Sequence, residues 1–237
     1  MEKKQFENNN FVLYSPDSLN DITENMESIL KDSLELYKRI FDVDDFRKIQ
    51  INYFDDIEKF RNFVYEIRGE DKSLPKYATG TFDGGMINVF IKPTTLKNAR
   101  KKYISSHELF HIMYKELILE KKNLPRIVWF DEGAAQLFSG ELKDENYETF
   151  VDDVISNTKV VPNLNELSHG SKFETEEYSG YKLGFIAVKH IYDELGMDEF
   201  KDLLSNPKRI YEYGDVVLNN IFENHNKNQG RFKWLSI

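Results

Sequence analysis

Residues 107–111 read His107-Glu108-Leu109-Phe110-His111. They lie in residues 97–120, where apolar residues are available at helical spacing, so we predict a helix there. His107 and His111 are then one turn apart on one face, because a helix repeats every ~3.6 residues. Two imidazoles so placed can bind one Zn²⁺ at ~2.0–2.1 Å. Glu108 is better placed to take a proton from a water at the metal than to join the ligands, which is the role of a general base.

The third ligand is predicted in a second run, WFDEG at residues 129–133. Asn123 and Pro125 break the first helix, and a second helical stretch at residues 126–142 carries Glu132 back beside the two histidines. A His₂Glu set leaves the fourth position of a tetrahedral zinc ion open, which is typical of catalytic rather than structural sites. The alternative is that both histidines lie on the surface of a charged helix, and the helical context disfavours it.

Composition limits the classes of protein to consider. The chain has 237 residues, of which 40% are hydrophobic, which suits one domain or one catalytic unit of two lobes. The net charge of −9 argues against nucleic acid or an anionic membrane as the main partner. Cysteine is absent, so zinc ligands cannot be thiolates. We see no signal peptide or membrane span and expect a cytoplasmic protein, with unconventional export left open. The sequence does not indicate the oligomeric state.

We expect residues 1–120 to form an α+β lobe that ends in the helix bearing the histidines. Its first ten residues suggest a loose terminus. Strands are predicted at residues 11–14, 48–54, 78–82 and 86–91, and helices from Asp17 or Asn20 to residue 41 and over residues 55–68. Asp83-Gly84-Gly85 joins the last two strands as a hairpin. We expect strand 86–91 to form the rim of a substrate cleft, where its backbone edge pairs with an extended peptide.

Residues 121–237 predict a mainly helical lobe that carries the third zinc ligand. Helices are expected at residues 145–155, from Tyr178 or Tyr181 to residue 195, and at residues 197–204 and 215–223. The two lobes would form one catalytic unit, with a small mixed sheet before the central zinc-binding helix. His169, His190 and His225 are not expected to be ligands, because the His₂Glu set already fills the protein positions.

The pair HELFH and WFDEG resembles the gluzincin group of zinc metallopeptidases, which includes thermolysin and a large aminopeptidase branch. Residues 112–131 separate His111 from Glu132, a spacing close to the usual one in that group. The resemblance is strongest over residues 78–142, and residues 162–167 and 181–191 resemble the helical lobe of peptidase MA-like families. It implies a thermolysin-like zincin fold and a metalloprotease, a hydrolase of peptide or protein substrates. By this likeness one Zn²⁺ is bound by His107, His111 and Glu132, and Glu108 is the base.

The resemblance also implies residues that support the reaction. Gluzincins place a Tyr or His side chain over the scissile carbonyl, and Tyr181 occupies the matching position, with Tyr178 as the alternative oxyanion donor. Such a donor can contribute ~2.7–4 kcal/mol to lowering the barrier. Asp131 and Gln136 are candidates to orient a zinc-binding histidine through its free N–H group.

One departure from the family bears on the type of peptidase. GGMIN at residues 84–88 resembles the Gly-x-Met-Glu-Asn strand of the aminopeptidase branch, but Ile87 replaces the Glu that binds the substrate's amino group. This favours an endopeptidase, since a buried ammonium without a partner is costly. The alternatives are an exopeptidase that uses another acid (Glu58, Glu70 or Asp83), a protease restricted to a single cellular protein, and a zinc-retaining, non-catalytic peptide-binding protein.

Overall fold

The computed structural model describes residues 3–69, 74, 78–92, 99–143, 145–167 and 173–234. They form a mixed α+β protein, as the sequence predicts. The chain divides into two compact units, a first unit of Met1–Leu117 with Phe138–Lys143 and a second unit of Ile118–Leu137 with Asp144–Ile237. Within the described residues, no helix combines the length and the apolar character needed to cross a membrane.

The first unit contains a five-stranded mixed sheet. Its strands are β1 (Lys3–Glu7), β2 (Phe11–Ser15), β3 (Ile49–Phe54), β4 (Gly80–Asp83) and β5 (Met86–Phe90). The strand order is β1-β2-β3-β5-β4. β2, β3 and β5 run parallel, whereas β1 and β4 pair antiparallel at the two edges. The predicted hairpin is confirmed, because Gly84 and Gly85 join β4 directly to β5.

The prediction of a loose N-terminus is wrong. Residues 3–7 form β1, which pairs with β2 so that Lys4 lies opposite Tyr14 and Glu7 lies opposite Val12. The run KKQFE has a single apolar residue and therefore lacks the alternation by which a strand is recognised. It becomes a strand through backbone pairing with β2 rather than through burial of its own side chains.

The prediction that strand 86–91 offers a backbone edge to a peptide is also wrong. β5 lies between β3 and β4 and pairs with both, so its backbone groups face other strands on either side. Among the strands of the described residues, the edge strand on this side of the sheet is β4, the first strand of the hairpin. Sequence periodicity identifies both strands but does not state which of the two lies at the edge.

Helices cover both faces of the sheet. They are α1 (Asn20–Thr23), α2 (Met26–Phe41), α3 (Ile57–Arg68) and α4 (Ile104–Tyr114), with 3₁₀ turns at Asp17–Leu19 and Ala99–Tyr103. Tyr53 shares a hydrogen bond of 2.6 Å with Ser105 of α4. The next residue of β3, Phe54, points to the opposite face and contacts Phe60 of α3, with ring centroids 5.8 Å apart.

The predicted first helix is not continuous, because the chain leaves helical geometry at Asn25 before α2 begins. The helix predicted over residues 97–120 is likewise divided. α4 is followed by a π-helical turn at Lys115–Leu119 and by α5 (Glu120–Lys122), and Asn123 ends the run with a φ of 51°. Thr94 and Thr95, the predicted caps of this helix, lie outside the described residues.

Contacts on the buried side of α4 fix its rotation. The Tyr37 hydroxyl donates to the carbonyl oxygen of Ser106 at 3.0 Å, and the Tyr37 ring meets Phe110 edge-on at 5.4 Å. Phe110 also stacks on Phe138 at 5.8 Å. These contacts leave His107, Glu108 and His111 among the partly exposed residues of the helix.

The second unit is mainly helical. Its helices are α6 (Val128–Ser139), whose last two residues belong to the first unit, α7 (Tyr147–Asn157), α8 (Gly180–Leu204) and α9 (Pro207–Trp234), with a 3₁₀ turn at Leu164–Glu166. α8 leaves helical geometry at Gly196, where φ is 73°. α6 and α8 meet at two glycines. A Cβ on Gly133 would overlap the carbonyl group of Gly184, and a Cβ on Gly184 would lie 2.7 Å from the carbonyl oxygen of Trp129. This backbone contact fixes the segment of α6 that carries Glu132.

Candidate metal centre

α4 brings the two predicted histidine ligands together. The Nε2 atoms of His107 and His111 lie 2.9 Å apart, and the ring planes are 79° apart with centroids at 4.6 Å. Both side chains therefore direct the same nitrogen at one point. This follows from the four-residue spacing, which places the histidines on one face of the helix.

Glu132 completes a group of possible metal ligands with these histidines. Each of the three residues offers one ligand atom, and these atoms all lie within 4.8 Å of one another. Two ligands of a tetrahedral ion at ~2.0–2.1 Å stand roughly 3.3–3.4 Å apart. The group fits a divalent metal ion, and two nitrogen donors with one carboxylate suit zinc chemically.

Arg126 binds Glu132, the third candidate ligand. The sequence did not reveal this role of Arg126. Its Nη2 donates to Oε1 of Glu132 at 3.0 Å, and its Nε donates to Oδ2 of Asp131. The side chains of Asp131 and Glu132 are only 3% and 7% exposed. Burial alone would lower the pKa of Arg126, but the two carboxylates outweigh burial and raise it. The sequence does show an arginine shortly before two adjacent acids. That pattern alone does not tell whether the arginine binds both carboxylates in the interior or whether all three side chains are exposed to solvent.

The second nitrogen of His107 faces another acid that the sequence did not identify. Nδ1 of His107 lies 3.6 Å from Oε2 of Glu141, and these side chains are 12% and 17% exposed. Glu141 follows the end of α6 by two residues and belongs to the first unit. Only the fold brings these positions together, so no local pattern reveals the pair.

Glu108, the predicted base, lies against the edge strand of the sheet. A Cβ on Gly80 of β4 would overlap Oε1 of Glu108 and lie 3.2 Å from its Cδ. Ile104, one turn earlier on α4, would lie 2.9 Å from the same Cβ. The absence of a side chain at Gly80 thus gives the Glu108 carboxylate its place beside β4.

The two candidate oxyanion donors lie at the start of α8. Tyr181 is the second residue of that helix, its ring meets Phe173 edge-on at 4.8 Å, and its backbone N–H donates to Glu174 at 3.3 Å. Tyr178 lies in the preceding turn, where its carbonyl oxygen accepts from the backbone N–H of Thr175 at 3.1 Å. Both tyrosines are partly exposed, and their assignment as oxyanion donors stays a prediction.

The predicted orienting residues have different surroundings. Asp131 is engaged by Arg126, as described above, whereas Gln136 is partly buried on α6 with its Oε1 enclosed by protein. That either one orients a zinc-binding histidine stays a prediction.

The remaining acids and histidines have surroundings of their own. Oδ1 of Asp83 accepts from Nε of Arg68 at 2.6 Å, and Glu58 is exposed at the start of α3. Nε2 of His225 lies 2.6 Å from Oδ1 of Asp152. His190 lies partly exposed on α8. The predictions for Glu70 and His169 fall outside the described residues.

No protein-family model matches the sequence, and no curated protein matches it with significance.

Proposed function

We propose that this protein is a zinc-dependent peptidase with a thermolysin-like arrangement of its catalytic groups. The observation that carries the proposal is the convergence of His107, His111 and Glu132, whose ligand atoms lie within 4.8 Å of one another. Glu108 follows the first histidine on the same helix, at the position of a general base. These are the groups that metal-assisted peptide hydrolysis requires.

In the proposed reaction, each residue has a defined chemical task. A zinc ion held by the three ligands would polarise the scissile carbonyl and lower the pKa of a bound water to ~7. Glu108 takes the proton from the attacking water and then delivers it to the leaving nitrogen. The Tyr181 hydroxyl donates a hydrogen bond to the carbonyl oxygen as negative charge develops there, with Tyr178 as the alternative donor.

The edge strand supports a peptide as the substrate. β4 lies at one edge of the sheet, and the Glu108 carboxylate lies against Gly80 of that strand. An extended peptide that pairs with β4 by backbone hydrogen bonds would bring its carbonyl groups close to Glu108. Pairing through the backbone accepts peptides with varied side chains. The sequence suggested β5 for this substrate-binding role, and we now propose β4 instead.

Two observations favour cleavage within a chain over removal of an N-terminal residue. Ile87, at the position where the aminopeptidase branch carries an amine-binding Glu, is fully buried. Asp83, one of the alternative acids, is already paired with Arg68. A free substrate amine would therefore gain little from either position.

The test compares wild-type protein with the variant Glu108→Gln after both are loaded with zinc. We expect wild-type protein to cleave internally quenched peptides, and Glu108→Gln to bind one zinc ion while losing cleavage. Glu116→Gln is the matched control, because Glu116 lies shortly after α4 but is bound by Arg47 at 2.6 Å. Cleavage by Glu108→Gln at the wild-type rate would rule out the assigned base.

A protease restricted to a single protein partner would fail on generic peptides, so a second experiment covers that case. The zinc-loaded Glu108→Gln variant should retain a substrate that it cannot cleave. We expect a pull-down to enrich a protein that wild-type enzyme then cuts in the purified mixture. If neither the peptides nor any captured protein is cut, the proposed peptidase activity is wrong.

A further inference from the structure

We propose that Glu141 is the residue that positions His107 for metal binding, by accepting a hydrogen bond from its Nδ1–H. This inference rests on the proposed metal site and extends it. The Nε2 of His107 faces His111 at 2.9 Å, so Nδ1 is the nitrogen that remains for a protein partner. A histidine that binds metal through one nitrogen usually donates its other N–H to a carboxylate, a carbonyl group or water.

The geometry supports Glu141 as that partner. Its Oε2 lies 3.6 Å from Nδ1 of His107, which exceeds the usual N–H···O distance by roughly 0.6–0.7 Å. Hydrogen bonds at catalytic sites are often long before ligands bind. Both side chains are largely buried, at 12% and 17% exposure, so water screens the pair poorly.

The chain reversal after α6 is built so that Glu141 points back to α4. α6 ends at Ser139, and Gly140 follows with a φ of +84°, a conformation that other residues adopt only with strain. The backbone N–H of Glu141 donates to Oγ of Ser139 at 3.3 Å. Gly140 also lies against the ring of Tyr103, since a Cβ on Gly140 would be 3.6 Å from that ring. The turn is therefore fixed at both ends.

The surroundings of Glu141 tie it to the helix that carries His107. The Tyr37 hydroxyl donates to the carbonyl oxygen of Ser106, the residue before His107. Burial, together with the negative charge of Glu141, holds the pKa of Tyr37 well above its usual range. Tyr37 therefore stays a neutral donor under Ser106. The charge of Glu141 therefore acts on the hydroxyl group that anchors α4, while its Oε2 lies 3.6 Å from the imidazole of His107.

Asp131 and Gln136, the two residues predicted to orient a histidine, differ from Glu141 in their contacts or chemistry. Asp131 is engaged by Arg126, and position 136 carries a neutral amide. Glu141 supplies the carboxylate from a segment that belongs to the same unit as His107.

The test measures zinc affinity by competition with a chelator, a readout that does not depend on peptidase activity. We expect Glu141→Ala to weaken zinc binding about 10- to 100-fold. Glu141→Gln keeps an acceptor oxygen of the same shape, so its loss should be near the low end of that range. Asp152→Asn is the matched control, because it removes a carboxylate from His225, and we expect no more than about a twofold change.

Nitrogen NMR of the zinc-loaded protein supplies a second readout that a merely structural role would not change. We expect the Nδ1–H signal of His107 to exchange slowly with water in wild-type protein and faster in both Glu141 variants. If Glu141→Ala does not fold, Glu141→Gln carries the comparison. The inference is wrong if both Glu141 variants bind zinc like Asp152→Asn and leave this signal unchanged, or if wild-type protein binds no zinc. Weakened zinc binding without any peptidase activity would instead overturn the proposed function and leave the role of Glu141 standing.

Discussion

The Glu108 carboxylate occupies the space that a side chain at Gly80 would fill. A Cβ on Gly80 would overlap Oε1 of Glu108 and lie 3.2 Å from its Cδ. The φ of Gly80 is not positive, so a side chain there would be opposed by the Glu108 and Ile104 side chains and not by the backbone conformation. The candidate base therefore packs against the edge strand β4 at Gly80.

We therefore expect Gly80→Ala to reduce peptidase activity without removing the metal. Relieving the overlap moves the carboxylate by roughly 1 Å, and a misplacement of that size can cost about 10²-fold in rate. Zinc content should stay at the wild-type level, because the atoms nearest to the added methyl group belong to Glu108 and Ile104 and not to the three ligands. The measurements are kcat/KM on a cleaved peptide and zinc content by mass spectrometry.

Thr81→Ala is the control for Gly80→Ala. Thr81 is the next residue of β4, and its side chain points to the opposite face of the sheet. Its hydroxyl is buried without a hydrogen-bond partner among the described residues, so its removal should be tolerated. Equal activity in Gly80→Ala and Thr81→Ala would contradict the positioning role of Gly80.

Removal of a ligand should lower metal content rather than only the rate. We expect His111→Ala and Glu132→Ala to lose tightly bound zinc, because two protein ligands hold the ion less strongly than three. His190→Ala is the matched control, since His190 is partly exposed on α8 and is not among the three possible ligands. A purified His111→Ala protein that still holds one tight zinc ion would refute the ligand assignment.

The residues of this group could be predicted because their signals are local. His107, Glu108 and His111 follow from a five-residue pattern on a helix, and Glu132 follows from a second helix after a clear break. The β4–β5 hairpin is equally local. In each case a few adjacent residues specify both the element and the direction of its side chains.

The features that sequence reasoning missed depend on long-range contacts. β1 is a strand because β2 pairs with it, and β4 rather than β5 is the edge because of how the sheet is ordered. Glu141 approaches His107 only after the chain has reversed at Gly140. Such contacts join residues far apart in the chain, and periodicity within a short window carries no information about them.

Arg126 provides a test of how the buried carboxylates are held. We expect Arg126→Met to lower the free energy of unfolding by about 2–3 kcal/mol. This is below the ~3–5 kcal/mol of a fully buried pair, because the Arg126 side chain retains 38% exposure and water screens it partly. The destabilisation arises from Asp131 and Glu132, whose charges would remain buried without their cation. Urea unfolding of metal-free protein measures it.

The double variant Arg126→Met with Asp131→Asn checks that cause. Without the aspartate charge, the cost of burying an uncompensated carboxylate falls, so we expect the double variant to be more stable than Arg126→Met alone. If the double variant is the less stable of the two, packing of the arginine stem rather than charge dominates at this position.

N-terminal acetylation of a substrate should not impair its cleavage. A free amine is recognised by a carboxylate, and a charge-assisted hydrogen bond of that kind contributes about 1.5–3 kcal/mol, or roughly 10- to 100-fold in binding. Ile87 is fully buried, and the Asp83 carboxylate is paired with Arg68, so neither favours such a bond. We expect acetylated and free forms of one peptide to have kcat/KM values within about threefold of each other. Mass spectrometry should locate the cut at an internal bond. Release of the first residue from the free peptide only, with the acetylated form left intact, would instead assign the enzyme to the exopeptidases.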